Sequence, residues 1–250
     1  MEVHAHSHTP RKKWTHYLWE FIMLFLAVFL GFLAENQREH YIEHQREKKY
    51  MYSLATDLKG DTAEINSTIT FNIRKFHGMD SLTLLLTKES LTPEDEQTLY
   101  FLNGQYGSSI STVIFNDRTI RQLLNSGNLR LVREQSTSDS IMNYYGQSKD
   151  AIIGQEKVYE EISKRLLITA EDIFDRSPIL LQMNLDGTFY RNKQPEKMKL
   201  ITKEKKVLKK YSQMIQSSKE LLAVYIDLLF NMRIRANNLL SFLEKEYHLK

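Results

Sequence analysis

The 250-residue chain contains no cysteine, which excludes a disulfide framework, thiolate metal sites, iron–sulfur ligation and a cysteine nucleophile together. With only four prolines and nine glycines, it is short of helix breakers, so long helices are expected. Neither sign of charge dominates: 34 basic residues stand against 31 acidic ones, for a formal net charge of +3. The basic residues are scattered along the length. No face gathers phosphates, and nucleic acid is not an expected partner. A nucleophile elbow, a serine–histidine–acid order and a dinucleotide fingerprint are also missing. Ser126-Gly127 lacks the Gly-Lys-Ser/Thr of a phosphate loop and reads as a helix cap and turn. The reading therefore includes no enzyme activity, no metal site and no cofactor. The 42% hydrophobic and 26% charged residues that are present describe an ordered chain of one or two domains.

The most specific positive signal is near the start. From Phe21 to Ala34 the chain reads FIMLFLAVFLGFLA, preceded by Tyr17, Leu18, Trp19 and a single Glu20. A helix over residues 17–34 rises roughly 27 Å, close to the hydrocarbon thickness of a bilayer. Trp14, Tyr17 and Trp19 cluster where amphipathic rings settle at the headgroups, with Arg11, Lys12 and Lys13 just outside, which completes the chemistry of an anchor over 14–34. Cleavage as a signal peptide at Ala34 would put bulky Phe32 at the minus-three position. Arg38, Arg46, Lys48 and Lys49 follow the span, but the three upstream charges lie closest to it. Residues 1–13 are therefore expected in the cytoplasm and the bulk outside, periplasmic if the membrane is a bacterial inner membrane. Glu20 is costly in hydrocarbon unless it snorkels to the interface or meets a neighbouring subunit or second protomer.

Polarity switches at once after the anchor, and 35–50 reads as a charged helical stalk with i,i+3 pairs Glu35–Arg38 and Glu43–Arg46. Residues 51–250 read as a helical bundle. Met51, Leu54, Leu58, Ile65, Ile69, Phe76, Met79 and Leu82 recur every three or four residues on one face, with Gly60 and Gly78 as bends. Thr92-Pro93-Glu94-Asp95 has the chemistry of a helix start, ending at Asn103-Gly104, and 105–112 reads as a loop. Asn116 or Asp117 caps a short helix that ends at Ser126-Gly127, the glycine in a left-handed turn that seats Leu129 and Leu131 in the core. Over 137–174 a heptad-like seam runs through Ile141, Tyr145, Ser148, Ile152, Gln155, Tyr159, Ile162, Leu166, Thr169 and Ile173. Another runs through Leu208, Tyr211, Ile215, Ser218, Leu222, Tyr225, Leu229, Met232, Ala236, Leu239 and Leu243, with Lys209, Lys210, Lys219 and Glu220 off it. Ser177-Pro178 stops one helix, Asp186-Gly187 marks a tight turn, and Pro195 opens the last helix. The expected fold is all-α: a transmembrane helix continuing into a long-helix antiparallel bundle, the seams lying within the chain or between protomers.

The opening HAHSHTPRKKWTHYLWEF and the central RTIRQLLNSGNLRLVREQSTSDSIMNYY carry a resemblance. The chain is similar to a bacterial family of single-span membrane proteins known only as a domain of unknown function. Its central pattern falls here on Thr119, Leu123, Ser126, Gly127, Leu129, Leu131, Val132, Tyr144 and Tyr145. The resemblance covers about the first fifty residues and this element, and implies a membrane-anchored helical domain with no known activity.

Side chains able to do chemistry are few. His4, His6 and His8 alternate in the tail, and His40 and His44 lie one turn apart beside Glu43 and Glu47. Both read as solvated groups, and Tyr41 after His40 breaks the zinc-protease signature. Glu160 and Glu161 point to different sides of a helix. The functional expectation is a single-span inner-membrane protein whose extracytoplasmic domain works by binding, as scaffold, assembly partner or accessory subunit of a membrane complex, with protein partners or as a homo-oligomer. The alternatives are a periplasmic ligand-sensing bundle signalling through a partner, and an enzyme with an unrecognised site.

Overall fold

The computed structural model describes residues 13–175 and 199–249. Arg11, Lys12, His4, His6 and His8 lie outside them, as do Ser177, Pro178, Asp186, Gly187 and Pro195, where a helix stop, a turn and a helix start were expected. The described chain is all-α: α1 (Trp14–Leu86), α2 (Pro93–Tyr106), α3 (Arg118–Asn125), a 3-10 turn (Asn128–Leu131), α4 (Gln135–Asn143), a π turn (Tyr144–Ser148), α5 (Lys149–Glu171) and α6 (Lys205–Glu246). The one pairing of extended residues among them is an isolated antiparallel bridge between Phe174 and Leu200. The chain divides into a unit of residues 1–50 and a unit of residues 51–250.

In the first unit, α1 carries the run from Phe21 to Ala34 with its large side chains exposed. This stretch is long and apolar enough to cross a bilayer. Phe21, Phe25 and Phe29, spaced one turn apart, stack their rings with centroids 6.4 and 5.9 Å apart. Trp14, Tyr17 and Trp19 are exposed at the amino-terminal edge, and Lys13 is exposed just before them. Glu20 lies 3.2 Å from the His16 imidazole one turn back. Further on, Arg38 donates to Glu35 at 2.9 Å as expected, while Glu43 stands 3.7 Å from His40 and Glu47 3.2 Å from His44.

The second unit is built on three long helical stretches. All eleven α6 seam positions from Leu208 to Leu243 are buried, because their three-four spacing keeps them on one stripe. They pack mainly against α5, where Ile152, Tyr159 and Leu166 are buried and Ser148, Gln155, Ile162 and Thr169 are half-buried. The α1 residues Met51, Leu54, Leu58, Ile65, Ile69, Met79 and Leu82 complete the core. At the start of α2, Thr92 accepts from Asp95 N while Asp95 accepts from Thr92 N, a reciprocal cap with Pro93 in the first turn.

Several local expectations are corrected. Gly60 and Gly78 do not bend α1, which runs unbroken to Leu86. A mid-helix glycine costs only about 1 kcal/mol, and packing outweighs that. Asn103 and Gly104 lie inside α2, which ends at Tyr106 and is capped by Gly107. The last helix begins at Lys205, and residues 199–204 are not helical. The stretch expected as one helix over 137–174 is interrupted by the π turn. Leu129 and Leu131 are half-buried, and the leucine and valine on either side of that turn, Leu123 and Val132, reach the core instead. Lys219 is mostly buried rather than facing water: it pairs with Asp80 and lies 4.2 Å from the centre of the Phe76 ring.

Candidate functional site

Beside its apolar stripe, α1 buries a second stripe that is polar: Asp57, Asp61, Thr68, Asn72 and Lys75. Asp57 and Lys75 are about five helical turns apart, so the stripe runs straight along the helix. It holds the connector between α2 and α3. Asn72 pairs with Ser111 in both directions, donating to its carbonyl at 2.9 Å and accepting from its N–H at 3.4 Å. Asp61 accepts from Asn116 N at 2.7 Å and from its side-chain amide at 2.9 Å. Asp57 accepts from Thr119 N at 3.2 Å at the first turn of α3. From the opposite side, Glu156 of α5 accepts from Val113 N at 3.2 Å and from the Tyr225 hydroxyl at 2.6 Å. Buried backbone groups of an irregular segment need such partners.

Lys75 is fully buried, and among the described residues its ammonium meets the carbonyls of Gly107 and Ser109 and, at 5.3 Å, the face of the Tyr159 ring. Burial pulls it down to about 7. Burial also raises Asp61 above the usual carboxylate range, against the opposing hydrogen bonds of Asn116 and Tyr144, and raises Tyr144 and Tyr145 far above a free phenol. The two glycines have their reason here. A Cβ on Gly78 would come within 2.3 Å of the Tyr106 ring, and one on Gly60 within 2.8 Å of the Asn116 amide. At Gly78 the last residue of α2, and at Gly60 the connector, lie close against α1.

The central element brings its residues to this clasp. Thr119 and Leu123 are buried on α3, and Ser126 closes the helix by donating to the Gln122 carbonyl at 2.6 Å. Gly127 has φ +66°, the left-handed conformation expected of it. The Tyr144 hydroxyl donates to Asp61 at 3.0 Å, and Tyr145 stacks edge-on against Tyr144 with centroids 4.8 Å apart. Asp117 holds the cap position of α3 without capping it, its carboxylate taken by Lys149 and, at 3.2 Å, Arg121.

On the outer side of the same element, α4, the π turn and α6 enclose an open cleft of about 480 Å³. Its apolar floor is Tyr144, Leu239 and Phe242, and its rim is Asp139, Ser140, Asn143, Asn238 and Arg235. In an α-helix, residues five apart point about 140° away from each other, whereas a π turn brings them round toward one side. That is how Asn143 and Ser148 meet, at 3.3 Å, and both accept from the Arg235 guanidinium, Ser148 at 3.1 Å.

The structure thus brings Thr119, Tyr144 and Tyr145 together around Asp57 and Asp61, while Ser126, Gly127, Leu129 and Leu131 form the turn beside them and Trp14 to Ala34 belong to the other unit. Sequence reasoning missed Asp57, Asp61, Asn72, Lys75, Glu156 and Arg235. The signal available was the four-seven-four-three spacing of the α1 polar residues, which keeps them on one face. No family model, curated protein or solved structure matches the chain.

Proposed function

We propose that this chain is a single-span membrane protein whose helical unit lies outside the cytoplasm and acts by binding, as scaffold or accessory subunit of a membrane complex. The observation that carries the reading is α1: its exposed apolar stretch has spanning length, and the same helix supplies the second unit with an apolar and a polar buried stripe. The resemblance in the opening and central segments agrees with it. The test is two-fold. A periplasmic alkaline phosphatase fused after residue 250 is expected to be active, with a cytoplasmic reporter silent there. Purification in mild detergent is expected to bring down a constant set of membrane subunits or a second, differently tagged copy. An active cytoplasmic reporter overturns the orientation, and a soluble chain cleaved near Ala34 overturns the anchor.

A second reading, a ligand-sensing bundle, is favoured by one feature: the cleft beside the π turn, which joins an apolar floor to a polar rim as small-molecule sites do.

A further inference from the structure

We propose that the cleft between α4, the π turn and α6 binds a small amino-carboxylate, a free amino acid or a close analogue carrying both a carboxylate and an ammonium group. Three observations combine. Arg235 is held by Asn143 and Ser148, whose oxygens are neutral, so its orientation is fixed while its charge is not cancelled by either. A guanidinium presents several N–H donors in one plane, and those not used by Asn143 and Ser148 match the two oxygens of a carboxylate. Asp139 lines the same cleft, with Gln135 donating to one of its oxygens at 2.8 Å and the other oxygen left to accept from an ammonium. The neutral Ser140 and Asn238 line it too, and its apolar lining of Tyr144, Leu239 and Phe242 suits an aliphatic or aromatic side chain.

The π turn is the device that makes this arrangement. An unbroken α-helix would carry Asn143 and Ser148 to different sides, and Arg235 would keep only one of them. π turns are rare and concentrate at functional sites.

The proposal deepens the ligand-sensing reading and is independent of the assembly reading, since it is tested on the purified chain without partners and on either side of a membrane. The full chain in detergent is titrated by calorimetry and thermal shift with each proteinogenic L-amino acid, with acetate, ethylammonium and sulfate as controls. At least one amino acid is expected to bind and raise the melting temperature at millimolar concentration, with each control far weaker. Arg235→Gln should weaken that binding about 10- to 100-fold, the loss of charge-assisted hydrogen bonds, with an unchanged melting curve in the absence of ligand. Asp139→Asn should erase the preference for the amino acid over its desamino acid. Ser148→Ala, which keeps the charge and loosens its support, should weaken binding less than Arg235→Gln. No binding by any amino acid, equal protection by sulfate, or an Arg235→Gln variant that binds as well as the parent overturns the proposal.

Discussion

The two ends of α1 obey the same helical geometry and do opposite things with it. Over its early turns, from Phe21 to Ala34, the side chains are apolar on every side and exposed, so position on the helix circumference carries little meaning within the chain. Over its later turns, from Met51 to Leu86, circumference is everything: one stripe is apolar and buried, the next is polar and buried, and the remainder faces water. The lesson is that hydropathy alone identifies the first kind of helix, while the second is specified by which residue types stand beside each other around the axis. A buried polar stripe is stable only where each group finds a partner, and here the partners come from a connector forty to sixty residues further along.

The contrast is sharpest at matched leucines. Leu58→Ala should cost the second unit about 2–5 kcal/mol through lost apolar transfer and a residual cavity. Leu24→Ala, at a side chain 69% exposed, should leave the urea midpoint of the detergent-solubilised chain in place. Equal effects would mean the early turns are packed as the later ones are.

At matched acids, Asp61→Ala strands Asn116 N–H, the Asn116 amide and the Tyr144 hydroxyl together. About 2–4 kcal/mol is expected, read from the same denaturation curve. Glu20→Ala, which touches His16 within one helix, should not move it.

Among glycines, Gly78→Ala forces the Tyr106 ring aside and should cost about 1–3 kcal/mol. Gly31→Ala meets nothing within 4 Å and, in a helix, should be neutral to slightly stabilising. If both alanines are tolerated, the end of α2 does not rest on α1 at Gly78.

The last effect is a slope, small over any one pH unit. Lys75 titrates near 7 when folded and near its ordinary value when unfolded, so between about pH 7 and pH 10 the unfolded chain binds the extra proton. Stability should rise with pH across that window, by at most about 1.4 kcal/mol per unit, and fall away as pH drops toward 7. Lys75→Met should flatten the Lys75 share of the slope, and an unaltered slope would show that the ammonium keeps its charge in the fold.

Much of this was legible in advance because it depends on local chemistry. The α6 seam reads off its three-four spacing, the Thr92 cap off its hydroxyl and Asp95, and the left-handed Gly127 off its place after a helix. What was not legible depends on segments distant in the chain. Gly60 and Gly78 look like bends until Asn116 and Tyr106 are seen to lie against them. Asp57, Asp61 and Lys75 look like solvated charges until the connector folds over them. Tyr144 and Tyr145 mark the central element, yet nothing in their order announces a π turn, since that geometry is chosen by what packs on both sides.

The polar stripe of α1 has a meaning for the newborn chain as well. α1 is synthesised before the connector, Tyr144 and Glu156 exist, so for a time Asp57, Asp61 and Lys75 stand in water without the groups that later bury them. Any bilayer the nascent helix meets would have to take in those three charges, at about 2.5–3.5 kcal/mol each near its centre. The residues that later fasten the connector therefore first reinforce the charged turns from Glu35 onward, which already end the membrane-competent part of the helix at Ala34.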